Sequence, residues 1–347
     1  MRSPRPLSAV STETPTSEHA LPPVPPAAPV AGTRRRSRLS LLGAAISIVS
    51  LGAVVWWASR QHAPQLPHTA QEIAALLAAI AGYGAATAVR GERWQRLLDD
   101  EGARPRRVDT SALVCVGYMG NNVLPARAGD AIRVVLMAPR AATSRRTVVG
   151  TLLAERILDV ALLVALFVIV GWGLLGTVGA GKVEVLVAGA AVLAVAAAVG
   201  WRYVRRNERL HALVAPLASA TLGLRRAHHG LRLLGMTVVI WGFEAVTWMA
   251  VGAAVGFGMT PVEAVYLVAL ASVFAMIPSG PAYAGTQDAA VAIGVKALGG
   301  TGATAVAYLL MLRFVIVVPI TVVGFLLLVT RYGGLARLRA ARAAARE

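Results

Sequence analysis

Apolar residues run along the chain in long blocks, most of them bounded by arginines: Leu39 to Trp57, Ala70 to Val89, Val108 to Ala138, Val148 to Leu175, Val183 to Trp201, Leu233 to Val255, Pro261 to Leu298 and Ala303 to Thr330. A membrane-spanning helix needs roughly 20 predominantly apolar residues, and these blocks supply that length. Alternation with a period of two is absent, which argues against a barrel. The pattern predicts an all-α, polytopic helical membrane protein.

Two blocks carry a polar interruption. The first, Val108 to Ala138, contains NNVLPARAGDAIR (Asn121 to Arg133) and is flanked by arginines at both ends. A segment that enters and leaves on one side must turn inside the bilayer, and Pro125 with Gly129 is where a helix can break. The second, Pro261 to Leu298, contains IPSGPAYAGTQD (Ile277 to Asp288) and has no arginine at either end, so it is expected to turn back from the opposite face. Pro278, Pro281 and Gly285 are its counterparts to Pro125 and Gly129. Local similarity links the two: Leu124-Pro125 with Gly129-Asp130, and Ile277-Pro278 with Gly285 and Asp288. The expected architecture is about six full spans plus two broken re-entrant hairpins. They form an inverted repeat, with halves 34–175 and 183–330.

Composition agrees with that class: 56% of residues are hydrophobic and the mean hydropathy is +0.64. The net charge of +17 would point to nucleic acid in a soluble protein. Here the arginines sit at block ends, where orientation and anionic headgroups account for them, so no nucleic-acid partner is expected. Arg90, Arg93, Arg96, Arg104, Arg106 and Arg107 follow the second block, which places a 90–107 loop and both termini in the cytoplasm by the positive-inside rule. The expected location is a bacterial-type plasma (inner) membrane. Residues 1–33, rich in proline, serine, threonine and alanine, read as a disordered cytoplasmic tail. Residues 331–347 read as a basic cytoplasmic tail lying on the inner headgroups. The one cysteine, Cys115, excludes an intramolecular disulfide framework, and His228-His229 lacks partners at ligand spacing, so neither metal nor cofactor is expected.

Charges inside the blocks are the candidate chemistry. AERILD supplies Glu155, Arg156 and Asp159, MLRFV supplies Arg313, and WGFEAV supplies Glu244, with Arg313 or Arg127 as its expected partner. Each would cost roughly 2.5 to 3.5 kcal/mol against lipid, so each should face protein or water. Glu155 and Asp159, four residues apart, share a helix face. These charges read either as a structural ion-pair network or as a ligand pathway, and both readings can hold together.

At the hairpins, half-helix amino termini expose N–H groups suited to phosphate, and Arg127 and Arg133 add full charges beside the first one. The competing reading is that Asp130 and Asp288 cap those half-helices themselves. Asn121 and Asn122 either satisfy the opened backbone or contact ligand, and Tyr283 is a gate, a headgroup contact or a packing residue. The candidate substrate-binding set is therefore Asn122, Arg127, Asp130, Arg133, Glu155, Arg156, Asp159, Tyr283, Asp288 and Arg313.

Three segments carry a resemblance: GYMGNNVLPARAGDAIRVVLM (117–137), LLAERILDVALL (152–163) and IPSGPAYAGTQDAAV (277–291). In order and separation they resemble the signature segments of the flippase-like family related to the transmembrane region of lysylphosphatidylglycerol synthase. The likeness covers about Leu39 to Thr330. Asn122, Pro125, Arg127, Glu155, Arg156, Asp159, Pro278, Pro281 and Gly285 match its pattern. Asp130 and Asp288 stand where the family usually has glutamate, and Ala282 stands where its second motif often has glycine.

The resemblance implies a polytopic protein that handles lipid, the best understood relatives flipping aminoacylated phosphatidylglycerol between leaflets. The soluble aminoacyl-transferase module that follows in full-length synthases is not expected here, so aminoacylation would fall to a separate lipid-modifying enzyme. The leading expectation is a translocator of an anionic phospholipid or polyprenyl-phosphate-linked headgroup, with membrane lipids as its partners. Two alternatives stay open: an intramembrane transferase using Asp130 or Glu155 as base, and a non-transporting lipid-binding scaffold. The absence of a nucleotide-binding region, a DxD pair or a nucleophile motif weighs against an enzyme.

Overall fold

The computed structural model describes residues 49, 51–124, 128–175, 227–275 and 281–334, all within the compact unit Ser40–Glu347. The 1–33 tail, Pro125, Arg127, the Val183–Trp201 span, Pro278 and the tail beyond residue 334 lie outside the described residues. The described chain is helical, with no strand among the described residues, as the apolar blocks predict. The helices are α1 (51–59), α2 (Ala70–Asp100), α3 (Arg107–Val123), α4 (Ala128–Arg140) and α5 (Arg145–Leu175). They continue as α6 (Ala227–Ala254), α7 (Pro261–Ala275), α8 (Thr286–Ala297) and α9 (Gly302–Tyr332), with a 3-10 turn at Pro281–Tyr283. Among the described residues, three helices are long and apolar enough to cross a membrane: Ala70–Asp100, His229–Ala254 and Gly302–Tyr332. The protein is an all-α membrane protein.

Caps explain where several helices begin. The Thr69 hydroxyl accepts from the Glu72 N–H at 3.2 Å while the Glu72 carboxylate accepts from the Thr69 N–H at 3.0 Å, a reciprocal capping box. Thr260 and Glu263 do the same at the start of α7, and Ser144 caps α5. At the far end of α9, Gly333 takes φ 71°, a left-handed stop that glycine adopts without steric cost.

One expectation is corrected at α2. The helix does not end at Val89 before a basic loop; it runs 31 residues to Asp100. At 1.5 Å per residue that is about 46 Å, well beyond a hydrocarbon core of about 30 Å. Arg90 and Arg93 therefore lie on a packed helix, with Arg93 only 1% exposed, and not on a solvated loop. The continuation is stabilised by Trp94, Leu97 and Leu98, all buried on the same stretch.

The two interrupted blocks form helix pairs that approach from opposite ends of α9. For α3 and α4, Asp109 accepts from Arg331 Nε at 3.1 Å and from the Tyr332 hydroxyl at 3.3 Å, while the Arg140 guanidinium lies 4.5 Å from the Tyr332 ring centroid. Both open ends of that hairpin thus sit at the carboxyl end of α9. Gly129 makes the pairing possible, because a Cβ there would lie 1.8 Å from the Gly117 carbonyl oxygen. Gly129 is not at the helix break itself but is the second residue of α4, a crossing point that no larger residue can occupy.

The second pair, α7 and α8, opens toward the amino end of α9: α8 leads into it through Leu298–Thr301, and a Cβ at Gly300 would touch Phe257, whose ring stacks edge-on with Tyr308 of α9. Helix, broken pair, helix therefore occurs twice, as α2, α3/α4, α5 and as α6, α7/α8, α9. The tips meet near the middle of α9, where Asn122 donates to Thr321 and Arg313 donates to Asp288.

Candidate functional site

Where the tips converge, five arginines and five carboxylates are matched in pairs. On α2, Arg93 forks onto Asp159 of α5 at 2.8 and 3.2 Å and also donates to Thr237 at 2.8 Å. One turn earlier, Arg90 meets Glu244 of α6 at 2.7 Å. Arg133 of α4 meets Glu155 at 2.9 Å and lies 4.0 Å from the Trp94 ring centroid, an arrangement that buries both charges. Arg156 stands 3.6 Å from Asp130, and Arg313 stands 2.7 Å from Asp288.

Glu244 was expected to pair with Arg313 or Arg127, but Arg90 is its partner. The reason is local. Gly82 lets α2 lie directly on α6, where a Cβ would come within 2.8 Å of the Thr247 hydroxyl, so Arg90 faces Glu244 across that contact. Arg313 is meanwhile committed to the second tip, donating to Asp288 and to the Ala282 carbonyl. Asp288 serves two roles at once, because its other carboxylate oxygen accepts from the Gly285 N–H at 2.8 Å. The 3-10 turn beside it is strained: Ala282 and Tyr283, neither of them glycine, take φ of 51° and 57°.

Between the tips and helices α2, α5 and α6 lies a cavity of about 350 Å³, adjoined by a smaller lobe of about 140 Å³. Tyr83, Asn122, Trp241, Glu244, Tyr283 and Gln287 line both lobes, and Arg90, Tyr118, Arg156 and Asp159 line the larger one. Of the sequence candidates, Asn122, Arg156, Asp159 and Tyr283 are thus brought to the cavity wall. Asp130, Arg133, Glu155, Asp288 and Arg313 stand behind it in the ion pairs, and Arg127 lies outside the described residues.

Arg90, Tyr83, Tyr118, Trp241 and Gln287 are wall residues that the sequence reading missed. A signal for Arg90 was present: Arg90, Arg93, Trp94, Leu97 and Leu98 recur at spacings of three and four, a helical period that a loop does not keep.

The wall is unevenly satisfied. Among the described residues, Arg90 Nη1 and the Gln287 side-chain oxygen are buried without a hydrogen-bond partner. Arg156 holds Asp130 only at 3.6 Å and keeps 40% of its side chain exposed. A buried donor left unpaired costs about 1 to 3 kcal/mol, so Arg90 gains when an oxygen of an entering group reaches it, while the Gln287 oxygen gains only from an entering hydroxyl or N–H. Two guanidiniums with spare donors, flanked by tyrosine and tryptophan rings, suit an anionic group with apolar attachments.

The family model described as Lysylphosphatidylglycerol synthase TM region matches residues 40–324, and the chain belongs to that family. A comparison with curated proteins finds no match.

Proposed function

We propose that this member of the lysylphosphatidylglycerol synthase transmembrane-region family moves an anionic lipid headgroup between leaflets, a phospholipid or a polyprenyl-phosphate-linked lipid, through the cavity where the hairpin tips meet. The observation that carries this reading is the wall itself: Arg90 and Arg156 with unspent donors on one cavity, at the mid-height of α9. Broken helices meeting from opposite ends are how many transporters build a site near the bilayer midplane. The headgroup exchanges its hydration for those guanidiniums while its tails stay in the hydrocarbon, so the protein has to solvate only the polar end. Arg93–Asp159, whose carboxylate faces the cavity, and the pairs Arg133–Glu155 and Arg313–Asp288 behind the wall hold the helices at the spacing the cavity needs. On this reading the arginine-rich end of the bundle, with Arg140 and Arg331, is cytoplasmic and the membrane is a plasma membrane.

Proteoliposomes with fluorescent headgroup-labelled lipids test it. The wild-type protein should accelerate transbilayer movement of an anionic phospholipid or a polyprenyl phosphate. Arg156→Gln should weaken headgroup binding about 10- to 100-fold, the equivalent of about 1.5 to 3 kcal/mol for a charged hydrogen bond. Folded wild-type protein that accelerates neither lipid class overturns the proposal.

A further inference from the structure

We infer that the protein carries a second lipid site, apart from the central cavity, in which one anionic phospholipid lies with an acyl chain in the groove between α1 and α8 and its headgroup at Lys296. The groove has a volume of about 470 Å³, and its walls are Val49 with Ala53 and Trp57 of α1 on one side and Ala289, Ile293 and Lys296 of α8 on the other. Val49, Ala53 and Trp57 recur every four residues and Ala289, Ile293 and Lys296 at intervals of four and three, so each set lies on one helical face. Alanines stand where larger side chains would interlock, which is why the two helices leave the space unfilled. Val49 is 71% and Ile293 59% exposed, so the space opens sideways onto the surrounding medium.

In a membrane protein that medium is hydrocarbon, and an apolar groove there takes an acyl chain in preference to water. From Val49 to Trp57 the wall is about 12 Å long, a little less than half a hydrocarbon core of about 30 Å, so it accommodates a chain from one leaflet.

Charge selects the headgroup. Lys296 is exposed in the last turn of α8, and among the described residues no carboxylate pairs with it. Arg60 adds a second cation at the end of α1, stacked 4.3 Å from the Trp56 ring centroid. The carboxylates described at this end, Glu72 and Glu263, are committed to their helix caps. Among the described residues the groove therefore ends in uncompensated positive charge at headgroup level, on the side of the bundle away from Arg331. The inference rests on membrane residence and not on the translocation reading.

A benzophenone side chain placed at Ile293 tests it in nanodiscs of equimolar phosphatidylglycerol and phosphatidylcholine, with the cross-linked adducts identified by mass spectrometry. Phosphatidylglycerol adducts should predominate. Lys296→Gln, at an exposed position that folding does not need, should reduce the preference about fivefold, and Ala53→Phe or Ala289→Phe should suppress both adducts by filling the groove. Arg156→Gln should leave the ratio unchanged. Equal capture of the two lipids, a ratio indifferent to Lys296→Gln, loss of capture on Arg156→Gln, or a cross-linked dimer of the protein in place of lipid adducts would each overturn it.

Discussion

Replacing Arg93 by methionine isolates the ion pair that ties α2 to α5. The wild-type guanidinium is 1% exposed, forks onto both oxygens of Asp159 and also serves Thr237. Methionine keeps much of the volume and deletes the charge. Asp159 is then left with the Trp241 indole N–H at 3.4 Å as its remaining close donor. Breaking a buried pair from one side costs about 3 to 5 kcal/mol. The lower end applies here, because Arg90 and Arg156 line the same cavity as Asp159 and partly offset the stranded charge. The expected loss is about 3 kcal/mol.

The double variant Arg93→Met with Asp159→Leu removes both charges, and by the same physics it should recover most of that loss. Reversible unfolding in mixed micelles gives the cycle, and lipid movement in proteoliposomes gives the functional half. A single variant losing less than about 1 kcal/mol, or a double variant no more stable than the single, would refute the assignment of a buried, mutually dependent pair.

Gly129→Ala should fail to accumulate as folded protein, since its Cβ would fall 1.8 Å from the Gly117 carbonyl; Gly84→Ala, whose Cβ would meet no other described segment within 4 Å, should be neutral or slightly stabilising when unfolded in the same micelles. Ala282→Gly should stabilise by up to about 1 kcal/mol, because relief of the left-handed φ of 51° outweighs the added freedom of the unfolded chain; a measurable loss of stability would contradict the strain.

How much could be read before the structure depended on whether a feature is local. The break between α3 and α4 was legible because proline, glycine and polar residues inside an apolar block leave few other options, and it lies within the range that the family model matches. The dual position of Asp288, at the third residue of α8, was legible in part as a cap, since capping is a spacing rule. Partners across helices were not legible. A helical period tells which side of Glu244 is inward but not that α2 would lie there, and that depends on Gly82 permitting close approach. Arg90 and Arg93 were misread for a related reason. Counting arginines for orientation takes no account of whether the helix continues, and here Trp94, Leu97 and Leu98 carry it onward and bury the arginines with it.

Two hairpins approach from opposite ends of α9 and meet midway along it. Single cysteines at Arg107, Arg145 and Lys296, in a background where Cys115 is replaced by serine, test it through labelling with a membrane-impermeant maleimide in oriented vesicles. Arg107→Cys and Arg145→Cys should label from one side and Lys296→Cys from the other. Labelling of positions 107 and 145 from different sides would mean that the intervening segment crosses the bilayer, and the convergence of tips on a common cavity would be contradicted.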